Sequence, residues 1–213
     1  EFTVEAGRPD SITREKLEIL KAAGVDRISV NPQTFCQKTL DLIGRKHSVE
    51  EVIEKYRLAR SLGFENINMD IILGLPGEKL PEVTHTLSEI GRLRPDSLTV
   101  HSLAIKRAAR LTLERDFWAG VYRAGDEHEI LAETQQQQEN AAGADFRYPE
   151  ITRMMLASEY TAELLGMKPY YLYRQKNMAG NLENVGYCEE GKECLYNILM
   201  MEEKHTVVGC GAG

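Results

Sequence analysis

The chain has 213 residues, 42% of them hydrophobic, and a formal net charge of −7 at pH 7. That length allows one sizeable core, alone or with an appendage, and the acidic balance argues against a nucleic-acid binder built on phosphate contacts. No apolar run approaches the roughly 18 residues of a membrane span, so neither a membrane nor a nucleic acid is an expected partner.

FTVEA (2–6) is a short β-type run. The segment RPDSITREKLEILKAAG predicts a helix capped by Thr13 or Ser11, with Leu17, Leu20 and Ala23 on its apolar side and Gly24 as its stop. DRISVNPQTF predicts a second strand through Ile28 and Val30, which Asn31-Pro32 breaks. After a short apolar stretch at 40–43, Ser48 and Glu51 have capping-box spacing. The helix they open carries Val52, Tyr56, Ala59 and Leu62 and ends at Gly63.

NINMDIILGLPGE (66–78) predicts the third strand. Ile67, Met69, Ile71 and Leu73 alternate on one face, and Asn68, Asp70 and Ile72 lie on the other. A carboxylate in the middle of a covered strand is costly to bury alone. Asp70 therefore either pairs with an Asn or Arg of a neighbouring strand or points into a ligand cleft. A helix with Val83, Leu87 and Ile90 follows and stops before Pro95, and SLTVHSL (97–103) predicts the fourth strand.

Residues 105–148 read as a connecting segment, partly helical or flexible. Pro149 suits the first turn of a helix that runs to Leu165 and ends at Gly166. PYYLYR (169–174) predicts a strand, and LYNILMM (195–201) with HTVVGCG (205–211) predicts a hairpin. The domain reading is thus strand–helix repeats over 1–104, the connector, and an α+β tail over 149–213 that can form a separate substrate-facing layer. Cys36, Cys188, Cys194 and Cys210 form no C-x-x-C pair; their scatter fits reduced cytosolic thiols, with a Cys188/Cys194 metal pair as the alternative. His47, His85 and His205 read as solvated, and the pairs Met154-Met155 and Met200-Met201 as core.

Alternating strands and helices in the first half indicate a parallel α/β sheet or barrel, and four units do not close an eight-stranded barrel. In either arrangement ligands bind at the carboxyl ends of the strands. Glu5, Gln33, Asp70 and the stretch from His101 to Ala104 collect there. Each has a plainer reading: Glu5 as a capping or ion-pairing acid, Gln33 as a loop side chain satisfying backbone, and Arg45 as a surface ion pair.

VEAGRP (4–9), SVNPQTF (29–35), IGRKHS (43–48) and MDIILGLPGE (69–78), in this order, resemble the radical S-adenosylmethionine (SAM) proteins of the oxygen-independent coproporphyrinogen III oxidase group. KPYYLYRQKNMAGNLENVGY (168–187) and the final GCGAG are similar to a Firmicute-type subgroup of coproporphyrinogen dehydrogenases. The resemblance implies the C-terminal part of a partial (β/α)6 barrel followed by an α+β tail. It implies a cytoplasmic oxidoreductase that converts propionates of coproporphyrinogen III to vinyl groups in haem biosynthesis, using SAM, a 4Fe–4S cluster and an electron donor. It places Glu5, Gln33, Arg45, Asp70 and Ala104 at SAM sites and offers no residue as an acid–base catalyst or metal ligand. The group's C-x-x-x-C-x-x-C cluster motif is absent from the sequence, so the chain is expected to be a fragment whose cluster ligands lie upstream and which is inactive alone. A haem-carrying chaperone relative and a non-catalytic SAM-binding module are the alternatives.

The tetrapyrrole substrate is anionic, so its site needs local positive charge. Lys106, Arg107 and Arg110 follow the fourth strand, and Lys168, Arg174 and Lys176 frame Tyr170, Tyr171 and Tyr173. Strand alternation would put Tyr170, Leu172 and Arg174 on one side, making Arg174 and Lys176 candidate substrate contacts. The other reading is a basic strand edge that blocks aggregation.

Overall fold

Four parallel strands follow one another across the sheet in sequence order: β1 (Thr3–Val4), β2 (Arg27–Ser29), β3 (Ile67–Leu73) and β4 (Ser97–Ser102). Two antiparallel strands, β5 (Lys168–Tyr173) and β6 (Asn184–Cys188), extend it to the order β1-β2-β3-β4-β6-β5. The computed structural model describes residues 1–103, 150–174, 183–203 and 205–210. The helices among them are α1 (Arg14–Ala22), α2 (Gln37–Leu42), α3 (Val49–Ser61), α4 (Leu80–Leu93), α5 (Glu150–Leu164) and α6 (Leu195–Glu202). Among the described residues no helix is long and apolar enough to cross a membrane.

Local chemistry accounts for the first four helices. Thr13 Oγ1 accepts from the Lys16 N–H at 3.1 Å and caps α1, which stops before Gly24 in the left-handed region at φ 77°. Ser48 and Glu51 form the expected reciprocal capping box at the start of α3. α2 occupies the short apolar stretch at 40–43 and buries Leu40. α4 starts with Pro81 in its first turn and ends on Arg94 in the left-handed conformation, just before Pro95.

The sheet has one apolar and one polar face. Ile28, Val30, Ile67, Met69, Ile71, Leu73, Leu98 and Val100 are buried in one core with Leu17, Val52, Tyr56, Val83, Leu87 and Ile90 of the helices. Met154 and Ala162 of α5 join it, and α5 packs on α4. The alternate residues Arg27, Asn68, Asp70, Thr99 and His101 line a cleft instead.

The tail differs from expectation in several places. Residues 195–202 form a helix and 205–210 have no regular structure, so there is no hairpin. Both ladder sides of β6 are taken by β4 and β5. The segment after Cys194 is left without a strand partner, and its Leu and Met residues favour a helix. β6 was not expected, because Gly186 interrupts an alternation only five residues long. The tail strands belong to the same sheet as the repeats instead of forming a separate layer. A bulge between Pro169 and Tyr171 breaks the alternation of β5, so Tyr170 and Tyr171 both approach Gly186 and their rings meet edge-on, 4.9 Å between centroids.

Two further expectations change. His47 is 1% exposed, with Nε2 3.4 Å from the Pro32 carbonyl, rather than solvated. Met154 is core, but Met201 is exposed on α6. The connector expected over 105–148 lies outside the described residues.

Candidate functional site

The polar face of the sheet, the start of the chain and α6 enclose a cleft of about 710 Å³. β1 to β4 run in one direction, so each successive inward residue on a strand lies closer to the carboxyl end. Asn68 stands opposite Ser97, Asp70 opposite Thr99, and Ile72 opposite His101. The floor therefore runs from Arg27 through Asn68 and Thr99 to Asp70 and His101. α6 contributes Leu195, Tyr196 and Leu199, and β5 contributes Tyr171.

Glu5, just past β1, lies in this cleft. Its Oε2 accepts from Ser29 Oγ at 2.5 Å and from Asn31 Nδ2 at 3.4 Å. Asp70 is held on one side by Asn68, whose Nδ2 donates to Oδ1 at 2.6 Å, while Thr99 Oγ1 donates to Asn68 Oδ1 at 3.2 Å. Its other oxygen is 3.8 Å from His101 Nε2, and the two side chains remain 19% and 35% exposed. Asp70 faces the cleft, and the Asn that orients it is Asn68, two residues earlier on the same strand and not on a neighbouring one. Burial pushes the Tyr171 hydroxyl up to about 12; a bond with Thr99 opposes the rise and the Asp70 charge adds to it.

The other expected residues stand elsewhere. Gln33 uses its backbone: its N–H donates to the Asp70 carbonyl and its carbonyl accepts from the Ile72 N–H, stitching the end of β2 to β3. Gln33 pays for this with a left-handed φ of 67°, a conformation that non-glycine residues seldom adopt. Arg45 is half-buried beyond the cleft residues. Burial depresses its pKa, as does the charge of Arg8, and Asp10 opposes them. The structure brings Glu5 and Asp70 together and leaves Gln33 and Arg45 out of the cleft lining. Ala104 and Lys176 lie outside the described residues, as do Lys106, Arg107 and Arg110. Arg174 is an exposed partner of Glu183 at 3.0 Å and is not among the cleft residues.

GLPGE is a turn whose last residue is structural. Gly74 and Gly77 have φ of 76° and 78°, and a Cβ on Gly74 would meet Ile151 of α5 at 3.2 Å. Glu78 is buried and accepts from Thr34 Oγ1 at 2.5 Å. Thr34 in turn meets Thr86 of α4, which caps the Phe35 N–H. This network locks the loop after β2 to the loop after β3.

Sequence reasoning passed over Arg27, Thr99 and Tyr171. Alternation in β2 and β4 already put Arg27 and Thr99 on the face of Asp70, so the signal was present; Tyr171 depends on the bulge.

The cofactors fit unequally. Asn31 Oδ1 is buried without a partner beside Glu5. An orphan acceptor next to a carboxylate suits the ammonium or ribose hydroxyls of SAM. No three His, Cys, Asp or Glu side chains among the described residues converge on a metal position. Cys188 and Cys194 are buried, Cys210 is exposed, and burial pushes the Cys188 thiol up to about 12. These residues do not fit a 4Fe–4S cluster, which needs converging thiolates.

Residues 1–90 match the model of the radical SAM superfamily. The whole chain is 47% identical over 213 residues to the oxygen-independent coproporphyrinogen-III oxidase-like protein HemZ of Bacillus subtilis, and covers 38% of that protein. The haem chaperone HemW of Bacillus subtilis is 42% identical over 106 residues, half of this chain and 28% of that protein. Among solved structures, the coproporphyrinogen III oxidase HemN from Escherichia coli, a radical SAM enzyme, matches 95% of this chain and 38% of that one. The TM-score is 0.60 and the identity 21%, a likeness of fold. Residues 1–90 carry a radical SAM domain, and the chain is similar to coproporphyrinogen-III-oxidase-like proteins and haem chaperones, of whose length it spans less than half.

Proposed function

We propose that the full-length protein is a cytoplasmic enzyme that oxidatively decarboxylates propionates of coproporphyrinogen III to vinyl groups, with this chain supplying the later strands of its barrel. The observation that carries the reading is the meeting of Glu5 and Asp70 in one cleft on the polar face of parallel strands. Glu5, with Asn31 Oδ1, accepts from the donors of SAM; Asp70 accepts a second group, oriented by Asn68. Gln33 and Arg45, which stand outside the cleft lining, and Ala104 are further SAM contacts in this reading, and the five positions need not all serve one SAM molecule. When bound, SAM supplies the hydrogen-abstracting radical. This chain's residues bind and orient it, and Tyr171, neutral at physiological pH, lines the cleft without adding charge. Arg174 and Lys176 serve the substrate's outer propionates. Electrons come from a separate donor through a cluster held outside this chain.

The haem-chaperone reading draws on the 42% identity to HemW, which extends over half of the chain. The oxidase-like relative matches the entire length, including 168–213. An anaerobic decarboxylation assay of the full-length protein, run beside a haem titration, tests the proposal. Vinyl products with no stoichiometric haem binding support it; haem binding without decarboxylation sinks it.

A further inference from the structure

Arg27, the first residue of β2, is 2% exposed and lies on the cleft floor. Its Nη2 donates to Ser97 Oγ at 3.2 Å. Its Nε is buried with no hydrogen-bond partner, and among the described residues no carboxylate lies within ion-pair distance of the guanidinium. None of the nearby acids pairs with Arg27. Glu5 accepts from Ser29 and Asn31, Asp70 accepts from Asn68 with His101 3.8 Å away, and Glu1 accepts from Thr3 and the Leu195 N–H.

Arg60, a half-buried arginine of α3, shows what a satisfied guanidinium looks like in this protein. It pairs with Asp96 at 2.7 Å and also bonds the Tyr56 hydroxyl and the Phe64 carbonyl. A buried charge with no anion is unfavourable, and a guanidinium at a cleft wall is completed by an anion from the cleft.

We propose that Arg27 anchors a carboxylate-binding subsite at the inner end of the cleft, for a monocarboxylate on a short apolar arm. A planar guanidinium whose Nε has no partner and whose Nη2 is bonded only to Ser97 among the described residues matches one carboxylate in charge and shape. Among the described residues of the lining a phosphate dianion meets this one Arg and no Lys, and three acids, Glu1, Glu5 and Asp70, oppose it. The rings and aliphatic groups of Tyr171, Leu195 and Leu199 give the arm an apolar wall. The subsite stands on the chain's own geometry. Its assignment to a tetrapyrrole propionate, the inner counterpart of the outer ones, rests on the function proposed above.

The test uses sodium propionate as the probe, at constant ionic strength, on the 213-residue chain labelled with nitrogen-15. The Arg27 Nε–H resonance is identified by its loss in Arg27→Lys. It is expected to shift and saturate with propionate and to stay put with sodium phosphate. Thermal stabilisation by propionate should vanish in Arg27→Met, weaken about tenfold in concentration dependence in Arg27→Lys, and persist in Arg92→Ala, which changes an exposed arginine of α4. A resonance unmoved by propionate, an equal response to phosphate, or full stabilisation of Arg27→Met would each overturn the subsite. A propionate response in a full-length protein that decarboxylates nothing removes the oxidase reading and leaves the subsite. Normal turnover by Arg27→Met with no propionate response in the parent removes the subsite and leaves the oxidase.

Discussion

Asp70 and His101 stand on neighbouring parallel strands with Oδ2 and Nε2 3.8 Å apart, while Asn68 holds the other Asp70 oxygen at 2.6 Å. The carboxylate is thus oriented by a residue of its own strand and still available to a ligand. Asp70→Asn in the full-length protein is expected to weaken SAM binding by about 1–3 kcal/mol, the cost of losing a charge-assisted hydrogen bond. His101→Gln should cost less, because Asn68 continues to orient the acid. Calorimetry is the measurement; unchanged SAM affinity in a folded Asp70→Asn protein would leave Asp70 a purely structural partner of Asn68.

Glu78 carries a pH dependence of stability. Burial raises its pKa above the usual 4.5, and hydrogen bonds from Thr34 and Thr39 pull the other way. With the folded pKa above the unfolded one, the native state favours the protonated acid. That contribution is fully present below the unfolded pKa and is lost as pH rises through the raised folded value. Glu78→Gln keeps a neutral acceptor for Thr34, so its stability relative to the parent should improve from acid to neutral pH. Urea unfolding at pH 4 and pH 7 measures this, and a difference that does not change with pH, or that moves the opposite way, refutes it.

The first half of the fold was legible because its signals are local. Thr13, Ser48 with Glu51, and the glycines at 24 and 63 announce helix ends within a turn of where they act. The period-2 pattern around Asp70 identified a polar face. What escaped was set by distant partners. The side-chain hydrogen bond of Arg27 reaches Ser97, 70 residues away, and no local pattern announces a missing anion. The helical state of 195–202 depends on β6 having both edges filled, and β6 owes its place to β4 and β5. His47 is buried with its Nε2 3.4 Å from the Pro32 carbonyl, 15 residues away. Glu5 and Asp70 were found because strand ends are ligand faces whatever the details; Gln33 and Arg45 depend on loop paths that spacing does not specify.

Gly186 makes room for Tyr171. A Cβ at this position would lie 1.9 Å from Tyr171 Cε1 and 3.0 Å from Tyr170 Cε1. Gly186→Ala must therefore displace the Tyr171 ring from the cleft wall or open β6 from β5, at about 1–3 kcal/mol for an overpacked site. In a Tyr171→Ala background the same substitution should cost much less, because the clashing ring is gone. Urea unfolding of the four proteins in this cycle gives the coupling. Additive costs would mean that the glycine serves strand geometry and not the ring.

Arg60 and Asp96 form the structural counterpart of the cleft, among the helix and loop residues at the amino ends of the strands. Asp96 Oδ2 takes the Arg60 guanidinium at 2.7 Å and also the Ile67 N–H at 2.7 Å, while the Tyr56 hydroxyl donates to the Arg94 carbonyl. The ion pair is only partly exposed, 30% and 12% by side chain, unlike Arg174–Glu183 at 61% and 39%. Asp96→Ala strands both a guanidinium and the first amide of β3, and should cost about 2 kcal/mol or more. Asp96→Asn still accepts from Ile67 and should cost less. Glu183→Ala removes an exposed pair and should cost about 0–1 kcal/mol, a loss that fades at high salt. Equilibrium urea unfolding ranks the three. An Asp96→Ala protein no less stable than Glu183→Ala would show that this end of the sheet is held by core packing alone.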